Sequence, residues 1–131
     1  MPRFFNGDNF IIIMEQQTEI VLETTGDVTL FDIKGDVTAL AEPFLDDAYK
    51  KALDQGVSKI LLRFNKDAYI NSGGIALLIQ ILAETKKNSQ TAGITGLSDH
   101  FKKIFNMVGI TKFAKIFDTV DAALEAMSGP S

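Results

Sequence analysis

Tyr69-Ile70-Asn71-Ser72-Gly73-Gly74-Ile75 decides how this chain is read, because of what flanks it. Upstream, Ile60-Leu61-Leu62-Arg63-Phe64 has the apolar continuity of a buried strand. Downstream, Ile75 to Lys87 predicts a helix, apolar almost all round until Glu84 and therefore buried at its start. Ser72 sits where a strand turns into a helix, beside two glycines. The first amides of a helix lack intrahelical partners, and the helix dipole favours negative charge there. Two uses follow from the residues alone. Asn71 or Ser72 caps the helix, among the commonest roles of both residue types. Alternatively, the Ser72 hydroxyl carries a phosphate, which this position tolerates well.

Outward from this segment the chain alternates between strand and helix patterns. Glu19 to Glu23 predicts a strand, Thr25-Gly26-Asp27 a turn and Val28 to Lys34 a second strand, so the two form a hairpin. After Gly35 the pairs Leu40/Ala41, Phe44/Leu45, Ala48/Tyr49 and Ala52/Leu53 recur at helical spacing, with Gly56 at the C-terminal cap. Lys59 to Phe64 is apolar on both faces, as a central strand covered on both sides should be. Thr91 to Leu97 predicts the next strand. Ser98 caps a helix with Phe101, Ile104, Phe105 and Val108 on its apolar face, and Gly109 ends it. Phe113 to Phe117 is a last strand, and Thr119 opens a final helix with Val120, Ala123, Leu124 and Met127 on one face. The expected architecture is α/β: a mixed, mostly parallel sheet of about five strands, with an antiparallel N-terminal hairpin and about four helices.

The 131 residues suffice for one domain with a real core and are too few for two ordinary ones. We expect that domain over residues 15–128, a tail at 129–131 and an extension at 1–14. The extension holds an apolar cluster of Phe4, Phe5 and Phe10 to Ile13 ahead of Met14. It reads as an extra strand, a partner-binding arm, or a leader preceding Met14 as the natural start. The regular pattern begins only after Met14, which favours the leader. It lacks the cleavage-site pattern of a signal peptide.

Apolar content of 46% and charged content of 23% are ordinary for a globular protein. The net charge is −4, and Lys and Arg are scattered apart from pairs such as Lys86-Lys87 and Lys102-Lys103. Direct nucleic-acid binding is disfavoured, because its affinity comes largely from neutralising phosphates. Cysteine is absent, which removes disulfides, thiolate metal sites and cysteine nucleophiles and fits a reducing, cytoplasmic setting. No apolar run approaches the ~20 residues that span a bilayer.

Catalytic constellations are missing, so no catalytic residue, cofactor or metal is expected. The one histidine, His100, follows Asp99 near the start of a helix and reads as a surface residue. Ser72 lacks the Gly-x-Ser-x-Gly frame of a nucleophile elbow, and its glycines match neither nucleotide-binding loop. Asp67 is a poor phosphoacceptor aspartate without an acidic pair after the first strand, and Asp46-Asp47 falls on the polar face of a helix.

Three segments, in order, resemble the STAS domain, the family of bacterial anti-sigma factor antagonists. Tyr69 to Ile75 is similar to its aromatic/apolar-Asp-Ser-Ser/Thr-Gly-Leu signature. Met107-Val108-Gly109-Ile110 is similar to its apolar-Ser-Gly-Leu turn, and Ile33-Lys34-Gly35-Asp36-Val37 to its Gly-Glu-Leu. The resemblance covers about Glu19 to Met127. It implies a switch. The serine at Ser72 is phosphorylated by a kinase of the histidine-kinase-like ATPase superfamily that is also the anti-sigma factor. The unphosphorylated antagonist binds that kinase and frees the sigma factor, and a serine phosphatase resets the cycle. It further implies a partner-binding surface at Asp36, Thr38, Asn71, Ser72, Gly73 and Gly74, with a homodimer as an open option. The chain departs from the pattern in four places. Asn71 replaces the usual Asp, Gly73 replaces the second Ser or Thr, Thr38 falls where many antagonists carry Asp, and Asp67 sits where an apolar residue is common. Two other readings stand beside the switch: a constitutive interaction module in a scaffold or transport system, which the missing acids favour, and a small enzyme using Ser72 as nucleophile, for which no base is in evidence.

Overall fold

The computed structural model describes residues 18–129, so the Met1 to Ile13 cluster lies outside the described residues. Strands β1 (Glu19–Thr25) and β2 (Val28–Lys34) form the expected antiparallel hairpin, with Thr25 opposite Val28 across the turn. A 3-10 turn at Ala39–Ala41 leads into helix α1 (Glu42–Asp54). Strand β3 (Lys59–Phe64) follows, then α2 (Ser72–Lys87), β4 (Thr91–Thr95), α3 (Asp99–Met107), a 3-10 turn at Ile110–Lys112, β5 (Lys115–Phe117) and α4 (Val120–Met127). The sheet order is β1-β2-β3-β4-β5, parallel from β2 onward. Each parallel step crosses over through a helix, as parallel pairing requires.

Two clusters cover the two sheet faces. On one, Phe31, Ile33, Ile60 and Leu62 pack with Leu45 and Ala48 of α1, Leu78 and Leu82 of α2 and Phe105 of α3. On the other, Val28, Leu30 and Leu61 meet Ala123 and Met127 of α4. Each fully buried aliphatic or aromatic side chain contributes about 1.5–3 kcal/mol, so the sheet centre anchors the fold. The Tyr49 hydroxyl ties α1 to the α2–β4 connection: it donates to Gln90 Oε1 at 2.6 Å and accepts from Asn88 Nδ2 at 2.9 Å. Burial raises the Tyr49 phenol above its ordinary value, partly offset by the Asn88 hydrogen bond.

The structure corrects the sequence in detail. Helix α2 begins at Ser72, not Ile75, because Asn71 caps it. Strand β4 stops at Thr95, not Leu97. Gly96 has a φ of +87°, and a Cβ there would lie 1.9 Å from the Phe64 carbonyl oxygen, so the chain bends where only glycine fits. Strand β5 starts at Lys115, not Phe113, because the 3-10 turn at Ile110–Lys112 occupies the approach. Leu40, Phe44, Leu53 and Val108, expected on apolar helix faces, are exposed.

Candidate functional site

The end of β3 opens into the loop that carries Ser72, and that loop is held from both sides. Val37 and Ile70 form an isolated parallel bridge. The Val37 amide donates to the Tyr69 carbonyl at 2.9 Å, and the Asn71 amide donates to the Val37 carbonyl at 3.2 Å. Asp36 adds a side-chain strut, its Oδ1 accepting from the Tyr69 amide at 2.9 Å. The Asp36 carbonyl in turn accepts from the Thr18 hydroxyl at 2.7 Å. The segment after β2 is thereby a splint for the segment after β3.

Asn71 is the N-cap of α2. Its Oδ1 accepts from the Gly74 amide at 2.8 Å, and its carbonyl accepts from the Ile75 amide at 2.9 Å. Ser72 is thus the first helical residue and is exposed. Among the described residues its hydroxyl has no hydrogen-bond partner, and the Ser72 and Gly73 amides donate to no protein acceptor. Among the described residues, two amides at the positive end of a sixteen-residue helix are thus left without a protein acceptor beside the exposed Ser72.

The two glycines differ in what they permit. A Cβ on Gly74 would lie 2.2 Å from the Val37 carbonyl oxygen and 2.8 Å from its carbon, contacts that no side chain accommodates. On Gly73 it would meet Ala39 Cβ at 3.1 Å, the Ala39 backbone nitrogen at 3.2 Å and Asn71 Oδ1 at 3.4 Å, tight contacts that a shift of a few tenths of an ångström relieves. Gly74 is therefore fixed by the close approach of the splint. Thr38 caps the adjoining 3-10 turn, accepting from the Leu40 amide at 3.1 Å.

The six residues expected at the partner surface fall in two adjoining segments, Asp36–Thr38 and Asn71–Gly74. Only Ser72 among them is exposed; Asp36, Thr38, Asn71 and Gly73 are half-buried and Gly74 is buried. The sequence did not single out two neighbours. Leu40, 70% exposed, stands in the 3-10 turn against the start of α2, and Tyr69, 59% exposed, precedes the cap. The signal was present, since Tyr69 lies in the quoted motif, but helical spacing placed Leu40 in the core. The Tyr69 ring leans edge-on against Phe101 of α3, 6.4 Å between centroids, and exposed His100 sits 5.0 Å from the same Phe101 ring. Among the described residues no three metal-ligating side chains gather.

A mixed five-stranded sheet with helices on both faces, presenting a serine where its central strand passes into a helix, defines an α/β domain of the STAS type. The chain belongs to the STAS domain family, whose model matches residues 19–123. Its fold is similar to that of TM1081 from Thermotoga maritima, with a TM-score of 0.71 at 16% identity over 92% of this chain and 96% of that one. It is also similar to an anti-sigma factor antagonist from Mycobacterium paratuberculosis, at 0.69 and 18% identity over 84% and 93%. The phosphorylated form of the Bacillus cell fate determinant SpoIIAA matches at 0.60 and 17% identity, over 84% of this chain and all of that one. None of the described helices is long and apolar enough to cross a membrane.

Proposed function

We propose that this chain is an anti-sigma factor antagonist that switches partners through phosphorylation of Ser72. The single observation carrying this reading is the geometry of Ser72: an exposed hydroxyl at the first position of α2, beside two amides without protein acceptors. A phosphate adds about −1.5 to −2 charges at neutral pH. At a helix start that charge is accommodated, whereas at a docked protein surface it disrupts shape and charge fit. One modification changes binding without unfolding the domain. That SpoIIAA exists in phosphorylated and unphosphorylated forms supports the reading. The partner is an anti-sigma factor with serine-kinase activity, of the histidine-kinase-like ATPase superfamily, and a serine phosphatase reverses the mark. The role is a binding switch in the cytoplasm, not an enzyme.

The docking surface centres on exposed Ser72 with the half-buried Asp36, Thr38, Asn71 and Gly73 around it and Leu40 and Tyr69 as apolar contacts, while buried Gly74 supports it from beneath. Capture from native lysate, read by mass spectrometry, tests this. The parent chain and Ser72→Ala should retain the kinase, and Ser72→Asp should lose it. Equal retention of an identified kinase by Ser72→Asp would contradict the switch.

One observation favours a constitutive binding module. Asn71 satisfies the cap without the negative charge that Asp would place beside the serine, so the structural half of the motif stands while the charged half is gone. A chain that binds its partner identically with Ser72, Ala or Asp at this position would be such a module.

A further inference from the structure

A groove runs along the β5 side of the sheet, bordered by the last turn of α2, by α3 and by the 3-10 turn before β5. Its volume is about 710 Å³, and it stands open to solvent. Lys86, Lys102, Lys112 and Lys115 line it, and Asp118 is the one carboxylate among its lining residues. Lys102 already has partners, Asp118 at 2.7 Å and Asp99 at 3.9 Å. Lys86, Lys112 and Lys115 pair with no described carboxylate. A chain of net charge −4 thus concentrates positive charge on one surface, from residues that form no run in the sequence. The Lys86 ammonium lies 5.9 Å from the centroid of the half-buried Phe113 ring, so cation and apolar ring face are presented together.

The form of the groove selects among anions. A compact phosphate is usually held by amides at a helix start or by an arginine fork. This groove borders the C-terminal end of α2, where the dipole disfavours a concentrated negative charge, and no arginine lines it. Its cations are flexible point charges distributed along an open channel. β5 is also the outer strand of the described sheet, so alternate backbone groups face away from β4 and are available to an added strand. Helix α2 places Lys86 about 21 Å from Ser72 along its axis, at 1.5 Å per residue.

We propose that this groove binds an extended acidic peptide segment of a partner protein. Its carboxylates pair with Lys86, Lys112 and Lys115, and an apolar side chain rests on Phe113. The site is separate from the Ser72 surface and does not depend on the phosphorylation state of that serine.

The test titrates the full chain into a fluorescein-labelled synthetic peptide, Glu-Asp-Leu-Glu-Phe-Glu-Asp, at low salt, followed by anisotropy. Saturable binding is expected. Lys112→Glu combined with Lys115→Glu should weaken it about tenfold or more, while the matched pair Lys50→Glu with Lys51→Glu on α1 should change it about twofold or less. Neutral Lys112→Gln with Lys115→Gln should weaken binding in the same direction, which keeps the test decisive if charge reversal impairs folding. Ser72→Asp should bind the peptide as the parent does. Absence of saturable binding, or equal losses in the groove pair and the α1 pair, would overturn the proposal. So would displacement by inorganic pyrophosphate as effective as by unlabelled peptide, which would mark a compact-anion site.

Discussion

At residue scale, Gly74 and Gly73 stand side by side under different constraints. A methyl group on Gly74 collides with the Val37 carbonyl, a backbone atom held by the Asn71 amide, at 2.2 Å, whereas on Gly73 it approaches the Ala39 methyl and backbone nitrogen only to 3.1 and 3.2 Å. Gly74→Ala should therefore cost about 2–3 kcal/mol in denaturant unfolding, and Gly73→Ala less than about 1 kcal/mol. Equal costs would mean that the splint through Val37 gives way more easily than its hydrogen bonds suggest. Asn71 is tested separately. Asn71→Ala should lose about 1 kcal/mol through the cap, and Asn71→Asp should keep or slightly raise stability, since a carboxylate accepts the same hydrogen bond and complements the dipole. The departure from the family motif at this position then lies in charge alone. The serine and its cap were legible in the sequence, because Asn-Ser before an apolar helix has few meanings. Which of the two capped the helix was not, since that depends on backbone angles set by the bridge to Val37.

At the scale of elements, the hairpin and β3 have the boundaries that alternation and apolar continuity indicate, apart from two more residues at the end of β1. The ends of β4 and β5 were not readable. Thr91 to Leu97 carries unbroken strand-like residues, and what stops it is Gly96 pressed against the Phe64 carbonyl, a contact across the sheet. The buried Lys59 of β3 was equally invisible. Its ammonium donates to Asp27 Oδ2 at 2.8 Å and to the Gly129 carbonyl, linking the hairpin turn to the end of α4. The hydrogen bond from Lys59 holds the Asp27 carboxyl below its ordinary value, against a smaller opposing effect of desolvation. A carboxyl lowered in the folded state stabilises the fold above its unfolded value, about 3.9, and that contribution disappears as pH falls through the lower folded value. Asp118, held down by Lys102, acts in the same sense. Lys59→Met should return the Asp27 titration, followed by carbon NMR of the carboxyl, toward the ordinary range. An unchanged titration would show that the lysine is not the cause.

At the scale of the molecule, the fold separates support from display. Both sheet faces carry buried clusters, while Ser72, Leu40 and Tyr69 stand out where the connections after β2 and β3 meet. Ser72→Asp should consequently leave the melting temperature nearly unchanged, with a stability change within about 1 kcal/mol. A large loss would mean that the site is structural. The whole-molecule pattern explains why the β5 groove could not be anticipated: its lysines lie on different elements and gather only once α2, α3 and β5 are in place. The proposed phosphorylation of Ser72 is tested by intact mass spectrometry of the protein purified from its native cells, with peptide mapping across Asn71 to Lys86. A population heavier by one phosphate, mapped to Ser72, is expected, with a share that changes between growth and stress. An unmodified Ser72 under every condition would contradict it.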